Sequence, residues 1–312
     1  MLRTGGARLI MAQRAWLLDA SIYIFRAWFS LPERWHNGDG IPLNAVYGYA
    51  GFLCELLSRV QPAPHLAAAF DESLGSCFRN ELYPDYKASR ALPDDALAFQ
   101  LQSCRELTEL CGIPCYGSER YEADDYLASL ARLAKAKQLP VTVITRDKDL
   151  GQLLSEPDDA WWDFAAGKTV DIEQFEQRFG VRPQQFADYL GLVGDSVDDI
   201  PGVPGIGPRT AVGLLAQFGT LEAIAEDLQA VARLPLRGAS RLPEKLSTYW
   251  PQAMLSRQLA RLEDKVPGLD RLPEYALSGE HIDAVVDFLQ SLGLGGPLVR
   301  RWQKLAAGLQ HS

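Results

Sequence analysis

Three of the four residues in Glu122-Ala123-Asp124-Asp125 are acids, and they open a segment whose apolar residues recur at helical spacing. Acids in a first turn stabilise a helix through its dipole, but three exceed what capping requires. On a helix Glu122 and Asp125 share a face, while Asp124 is turned away by about 200°. Further acids stand at Asp147-Lys148-Asp149 and in the Gly-flanked loop Asp195-Ser196-Val197-Asp198-Asp199, and Asp19 and Asp71 each end a short apolar run. We assign nine carboxylates to one site: Asp19, Asp71, Glu122, Asp124, Asp125, Asp147, Asp149, Asp195 and Asp198. Left unpaired, they would repel and raise one another's pKa. Divalent cations remove the conflict, and a carboxylate-rich, oxygen-only donor set suits Mg²⁺ or Mn²⁺. No D-x-[DN]-x-[DN]-G calcium loop is present. Two such ions about 3.5–4 Å apart can activate water and stabilise the leaving oxygen of a phosphodiester. Asp19, Asp71, Glu122, Asp124 and Asp125 are expected around the first ion, and Asp147, Asp149, Asp195 and Asp198 around the second, with Asp199 outside.

These acids must be positioned by strands and helices. The runs Ala15 to Asp19, His65 to Asp71 and Val141 to Thr145 are nearly continuous in apolar residues, and segments of helical periodicity lie between them, at Ala45 to Val60, Ala96 to Cys111 and Ala123 to Lys137. That alternation predicts an α/β fold, a mostly parallel sheet covered on both faces. Ligands of such sheets bind at the carboxyl ends of strands, where each of the three runs places an Asp. No G-x-G-x-x-G follows the first run, so a dinucleotide site is disfavoured. Residues 161–170 read as a hairpin at the sheet edge, and Asp171-x-x-Gln174 as a capping box opening a helix to Phe179, closed by Gly180. Residues 183–193 form a further helix, and beyond Gly194 the chain reads as mostly helical.

Charge first argues against a nucleic-acid partner. The 312 residues carry 40 acidic and 31 basic side chains, a net charge of −9, whereas domains that grip phosphates usually show a basic face. Removing the nine site carboxylates leaves as many acids as bases, so the excess sits at the site. With 47% hydrophobic and 23% charged residues the chain is globular. It has no apolar run near the roughly 18 residues of a membrane span and no signal-peptide pattern, so a cytoplasmic location is expected. Five cysteines without a C-x-x-C pair give neither a disulfide framework nor a zinc knuckle, and four scattered histidines argue against a Ser-His-Asp or Cys-His hydrolase.

The second motif is Pro201-Gly202-Val203-Pro204-Gly205-Ile206-Gly207-Pro208-Arg209-Thr210-Ala211. Gly205 and Gly207 permit close backbone approach, Pro208 suits a first helical position, and the free N–H groups of the helix start can bind a phosphate. We read this as a helix-hairpin-helix that grips a DNA backbone through Gly205, Gly207, Arg209 and Thr210. Its turn carbonyls at Leu192, Val193, Pro201, Val203 and Ile206 are candidates for a monovalent ion. From 201 to 261 there are seven basic against four acidic residues. A third element, Phe78-Arg79 and Tyr86-Lys87-x-x-Arg90, offers Arg79, Lys87 and Arg90 to a phosphate or 5′ end and the Tyr86 ring to a terminal base.

In order, Leu18-Asp19, Ala69-Phe70-Asp71, Phe78-Arg79, Tyr86-Lys87-x-x-Arg90, Glu122-Ala123-Asp124-Asp125, Thr145-x-Asp147-Lys148-Asp149 and the Gly194 to Gly207 stretch resemble the bacterial and phage 5′-nucleases, among them flap endonucleases and the 5′-3′ exonuclease domain of DNA polymerase I. The resemblance covers about residues 14–290. It implies structure-specific hydrolysis of 5′ flaps and 5′ ends of DNA in replication and repair, two Mg²⁺ ions, K⁺ at the hairpin, and a helical arch over the site at about 72–100. Lys87, Arg90, Asp125 and Asp147 are then the expected catalytic residues. RNA-primed DNA is a further expected substrate. The expected organisation is a disordered leader over 1–13 with Met11 as a possible start, a catalytic domain over 14–182, a helical DNA-binding region over 183–290 with the hairpin motif at about 187–219, and a tail over 291–312. With no polymerase following, the reading is a stand-alone monomeric nuclease. The alternatives are a weakly or non-catalytic flap-binding paralogue and a related RNA-directed nuclease.

Overall fold

The computed structural model describes residues 13–73 and 75–309, so the expected leader lies outside it except for Gln13. Six strands form one sheet: β1 (Ala15–Asp19), β2 (His65–Ala69), β3 (Cys115–Tyr116), β4 (Val141–Ile144), β5 (Ala160–Asp163) and β6 (Lys168–Val170), in the order β3-β2-β1-β4-β5-β6. All neighbours are parallel except β5 and β6, which form the edge hairpin. Side chains alternate across each parallel strand, so continuous apolar runs mean burial on both faces. Ala15, Leu17, Ala67, Ala69, Val141 and Val143 point into one core. Leu18, Leu66, Ala68, Phe70 and Ile144 point into the other.

Helices α1 (Ala20–Ser30), α2 (Asn44–Val60) and α4 (Asp95–Leu110) cover the second core, and α5 (Ala123–Ala136) covers the first. Between β2 and α4 the chain crosses the carboxyl ends of the strands through α3 (Phe78–Leu82) and a series of turns. A 3-10 helix, Asp149–Leu153, follows β4. The expected capping box holds at α6 (Ile172–Phe179): Gln174 N donates to Asp171 Oδ1 at 2.8 Å, and Gly180 closes the helix with φ 74°.

The C-terminal region adds α7 (Phe186–Val193), α8 (Pro208–Phe218), α9 (Leu221–Glu226), α10 (Leu228–Val231) and α11 (Leu242–Ala260) on the α5 side. It ends with α12 (Gly279–Ser291) and α13 (Pro297–Leu309) on the other side. The expectation of a tail over 291–312 fails for 297–309. Leu298, Trp302, Leu305 and Leu309 recur at three- and four-residue spacing, and this face buries Trp302 completely against the second core. Among the described residues no helix is long and apolar enough to cross a membrane.

Candidate active site

Strand order reverses direction around β1, which has β2 on one side and β4 on the other. The chain therefore leaves β1 and β4 on opposite sides of a crevice at their carboxyl ends, the usual ligand position in such sheets. Asp19 ends β1 and caps α1, with Ile22 N donating to its Oδ1 at 3.4 Å. Its Oδ2 accepts from Thr145 Oγ1 at 2.7 Å, just past β4. The same hydroxyl accepts from Asp147 N at 2.9 Å, and Asp147 Oδ1 accepts from Asp149 N at 2.9 Å. A short relay of turns thus aligns Asp19, Asp147 and Asp149. Asp71, past β2, is held by Ser21 and Ser73, its N donating to Ser21 Oγ and its Oδ1 accepting from Ser73 Oγ, both at 2.8 Å.

Electrostatics mark these acids as one group. Burial pushes the Asp19 carboxyl up, the Thr145 hydroxyl partly offsets this, and Asp147 and Asp71 add repulsion, so that it titrates at about 7. Burial and then Asp147 raise Asp149 to about 7 as well. Asp124 is pushed well above the carboxylate range by burial, Asp147 and Asp19. Asp147 is the shared neighbour in all three. Asp149 Oδ1 is also buried without a hydrogen-bond partner, with Lys148 Nζ at 3.5 Å. The acids raise one another's pKa, yet among the described residues no three His, Cys, Asp or Glu side chains are disposed to hold a metal ion together.

The other acids are neutralised by cations. Glu122 accepts from Arg79 at 2.9 Å and from the Tyr86 hydroxyl at 2.9 Å, and pairs with Lys87. Burial alone would raise its pKa, but Lys87 and Arg79 outweigh that and hold it below the ordinary value. Asp198 bonds Arg90 at 2.7 Å and faces Lys87 at 3.7 Å; burial still keeps its pKa raised. Lys148 pairs with Asp195 at 2.5 Å. Asp199 accepts from Ser89 N at 2.9 Å, tying the crossing segment to the 195–200 loop. A cleft of about 480 Å³ opens beside this cluster, lined among others by Phe25, Trp28, Asp71, Lys87, Arg90 and Glu122.

Three expectations change. Asp125 is fully buried, and its carboxylate accepts from Arg79 at 2.7 and 2.8 Å, Glu122 N at 3.1 Å and Glu263 N at 2.9 Å. These four donors use the acceptor positions of a carboxylate, so Asp125 is the counter-ion of Arg79 and has no free position for a metal. Arg79 is 1% exposed and cannot reach DNA from this position. Tyr86 is 3% exposed with its hydroxyl on Glu122, so its ring is not offered to a base.

The hairpin runs from α7 to α8. Gly194 and Gly202 lie close together: both have positive φ, and a Cβ on Gly202 would lie 2.3 Å from Gly194 N. Gly205, Gly207, Pro208 and Arg209 are exposed, Gly207 caps α8, and Thr210 lies in its first turn. Val203 N donates to Leu192 O at 2.8 Å and Ile206 N to Val203 O at 3.0 Å. Two of the five candidate carbonyls therefore already accept one bond, each retaining a second lone pair. Sequence reasoning counted Lys245 only among the seven bases of 201–261 and missed its place at the hairpin, where its Nζ lies 2.6 Å from where a Cβ on Gly205 would stand. It comes from α11, forty residues downstream, and no local pattern marks it. The roles of Thr145 and Lys148 were also missed, although both flank acids that were named.

Two family models cover most of the chain: "5′-3′ exonuclease, N-terminal resolvase-like domain" over residues 14–180 and "5′-3′ exonuclease, C-terminal SAM fold" over 181–283. DNA polymerase I of Rhizobium leguminosarum is 36% identical over 292 residues, 92% of this chain and 28% of the relative. That of Pseudomonas aeruginosa is 39% identical over 252 residues, 80% of this chain and 27% of the relative. The chain thus spans less than a third of the length of these curated relatives. Among solved structures, the T5 5′-exonuclease with bound divalent zinc is similar in fold, with TM-score 0.62 and 19% identity, covering 96% of this chain and 98% of that one. The catalytic core of Rad2 in complex with DNA substrate has TM-score 0.62 and 17% identity, covering 95% and 92%. On these matches the chain belongs to the 5′-3′ exonuclease family of nucleases.

Proposed function

We propose that the chain is a divalent-metal-dependent flap endonuclease and 5′-3′ exonuclease, which hydrolyses DNA phosphodiesters at 5′ flaps and 5′ overhangs during replication and repair. The observation that carries this reading is the group Asp19, Asp124, Asp147 and Asp149 at the strand switch point, three of them with raised pKa through burial and mutual repulsion. Such a group favours a cation that lets all its members ionise. The donor set is oxygen only, and the unpartnered Asp149 Oδ1 is a further mark of fit for Mg²⁺ or Mn²⁺. Asp19, Asp71, Glu122 and Asp124 would hold one ion and Asp147, Asp149, Asp195 and Asp198 a second, with Asp125 acting from behind through Arg79. Bound there, the ions supply an ionised water at neutral pH and charge for the phosphodiester.

The chain's own residues do the rest. Lys87 and Arg90 line the cleft beside the acids, where they can bind the substrate phosphate and stabilise charge developing on it. Gly205, Gly207, Arg209 and Thr210 at the start of α8 would hold the duplex backbone without reading bases, with Lys245 adding charge. K⁺ would sit on carbonyls among Leu192, Val193, Pro201, Val203 and Ile206. We extend the reading to RNA-primed DNA as substrate and to a cytoplasmic monomer, consistent with five free cysteines, four of them buried.

A labelled 5′-flap duplex incubated with Mg²⁺ tests the proposal: short 5′ products are expected, and their absence with wild-type protein sinks it. One observation favours a second reading, a flap-binding protein that turns over poorly. Lys87 and Lys148 already neutralise Glu122, Asp198 and Asp195. Tight flap binding without metal-stimulated cleavage would select it.

A further inference from the structure

Arg79 joins three parts of the molecule. It belongs to α3, its guanidinium pairs with Asp125 and Glu122 at the start of α5, and it donates to Leu259 O at 2.8 Å and Arg261 O at 2.9 Å at the end of α11. A planar cation with five donors suits this arrangement, because it closes the carbonyl end of one helix and the acidic N-terminal turn of another at once. The residues after α11 are fastened along α5 as well. Glu263 N donates to Asp125, Val266 N to Ser129 Oγ at 3.0 Å, and Arg132 Nε to Asp264 O at 2.7 Å.

From Lys245 near its start to Ser256 in its last turns, α11 also holds the hairpin. Gly202 N donates to Ser256 Oγ at 3.0 Å, Gln252 Nε2 donates to Gly202 O at 2.6 Å, and Lys245 lies against Gly205. At 19 residues, with Pro251 inside it, α11 spans about 28 Å.

We propose that Arg79 is a positioning residue that locks α11 to α5, so that seating a duplex on the hairpin orders the acidic turn Glu122–Asp125. The inference rests on the hairpin binding duplex, as in the function proposed above. Arg79 touches neither solvent nor substrate: it acts through Glu122, which also holds Lys87, and through Asp125. A charge at this position is insufficient, because a lysine ammonium cannot reach two carboxylates and two carbonyls in one plane.

Hydrogen exchange of the full chain with and without an unflapped DNA duplex reads this coupling directly, alongside melting temperature, duplex Kd and flap cleavage rate. In wild type, duplex is expected to slow exchange in residues 201–210 and also in 122–129. In Arg79→Lys only 201–210 should respond, with Kd within threefold of wild type and the single-turnover cleavage rate down about thirtyfold. Gln252→Met together with Ser256→Ala, which removes both hydrogen bonds between α11 and Gly202 without touching the buried ion cluster, should uncouple the same two segments. This double variant serves if Arg79→Lys does not fold.

Protection of 122–129 that survives in both variants overturns the inference, as does protection confined to 201–210 in wild type. A Kd that worsens in parallel with the rate in Arg79→Lys also overturns it, since Arg79 would then act in binding. Coupled protection without flap cleavage by wild type would sink the nuclease reading and leave the coupling standing. No duplex binding at all would overturn both.

Discussion

The acids of this protein fall into two regions that differ in what answers their charge. Around Arg79, Lys87 and Arg90, the carboxylates of Glu122, Asp125 and Asp198 are paired with cations, of which Arg79 is buried, Lys87 partly buried and Arg90 exposed. Around Asp147, the carboxylates of Asp19, Asp124 and Asp149 face mainly one another. The same residue type is thus cement in one place and strain in the other. Breaking a buried ion pair leaves a charge without compensation, whereas removing one of several like charges relieves repulsion. Substitutions in the two regions should therefore move stability in opposite directions.

The largest effect is expected at Asp147. Asp147→Asn should lower flap cleavage in Mg²⁺ on the order of 10³-fold, comparable to deleting a group that stabilises the transition state, while the melting temperature of the metal-free protein stays level or rises. A melting temperature that falls would show Asp147 to be structural and erase the distinction between the regions. Asp125→Asn is the counterpart. It should cost about 3 kcal/mol of stability, because Arg79 is left buried and half-paired, and denaturant unfolding measures that loss. Stability within experimental error of wild type would mean that Arg79 finds another partner.

This division was partly legible in the sequence. Helical geometry puts Glu122 and Asp125 on one face and Asp124 on another, and the structure uses that split: Glu122 and Asp125 turn to Arg79, while Asp124 turns to Asp19 and Asp147. What periodicity could not supply was the identity of the partner. Arg79 lies more than forty residues from Asp125 and reads locally as a surface base, and only the path of the chain over the strand ends buries it. Strands β1, β2 and β4 could be read because each is an apolar run ending at an acid or just before one. Strand β3 is two residues long and gives no such pattern. Helix α13 has an apolar stripe that was readable, and its docking against the second core was the missing part.

The contrast has a pH signature in the metal-free protein. Asp19 and Asp149 titrate at about 7 when folded, against about 3.9 when unfolded. The folded state holds more protons between these values, so their contribution is fully present below about pH 4 and lost as pH rises through about 7. Glu122 has the opposite sign: its folded pKa is depressed, so its contribution is present above about pH 4 and lost on acidification. Melting temperature in EDTA should thus fall as pH is raised from 5 to 8, and Asp19→Asn should flatten that limb alone. Mg²⁺ should raise the melting temperature more at pH 8 than at pH 5, because its ligands must be ionised to bind. A magnesium effect independent of pH would argue that the Asp147 group does not take up the ion.

The smallest effects come from the hairpin, where two glycines of one motif do different work. Gly202 has φ 60° and no room for a Cβ, which would meet Gly194 N at 2.3 Å. Gly202→Ala must therefore push the α7 end away from the loop and should cost about 1–3 kcal/mol. Gly207 has φ −101° and nothing within 4 Å of the position a Cβ would take. Gly207→Ala should change stability by less than about 1 kcal/mol, the remaining cost being the poor capping of alanine. Its methyl would project at the exposed start of α8, where in the proposed function a phosphate approaches the backbone N–H groups. Duplex Kd should accordingly weaken several-fold at constant melting temperature. Unchanged duplex affinity in Gly207→Ala would place the phosphate elsewhere and leave Arg209 and Lys245 to hold it through charge alone.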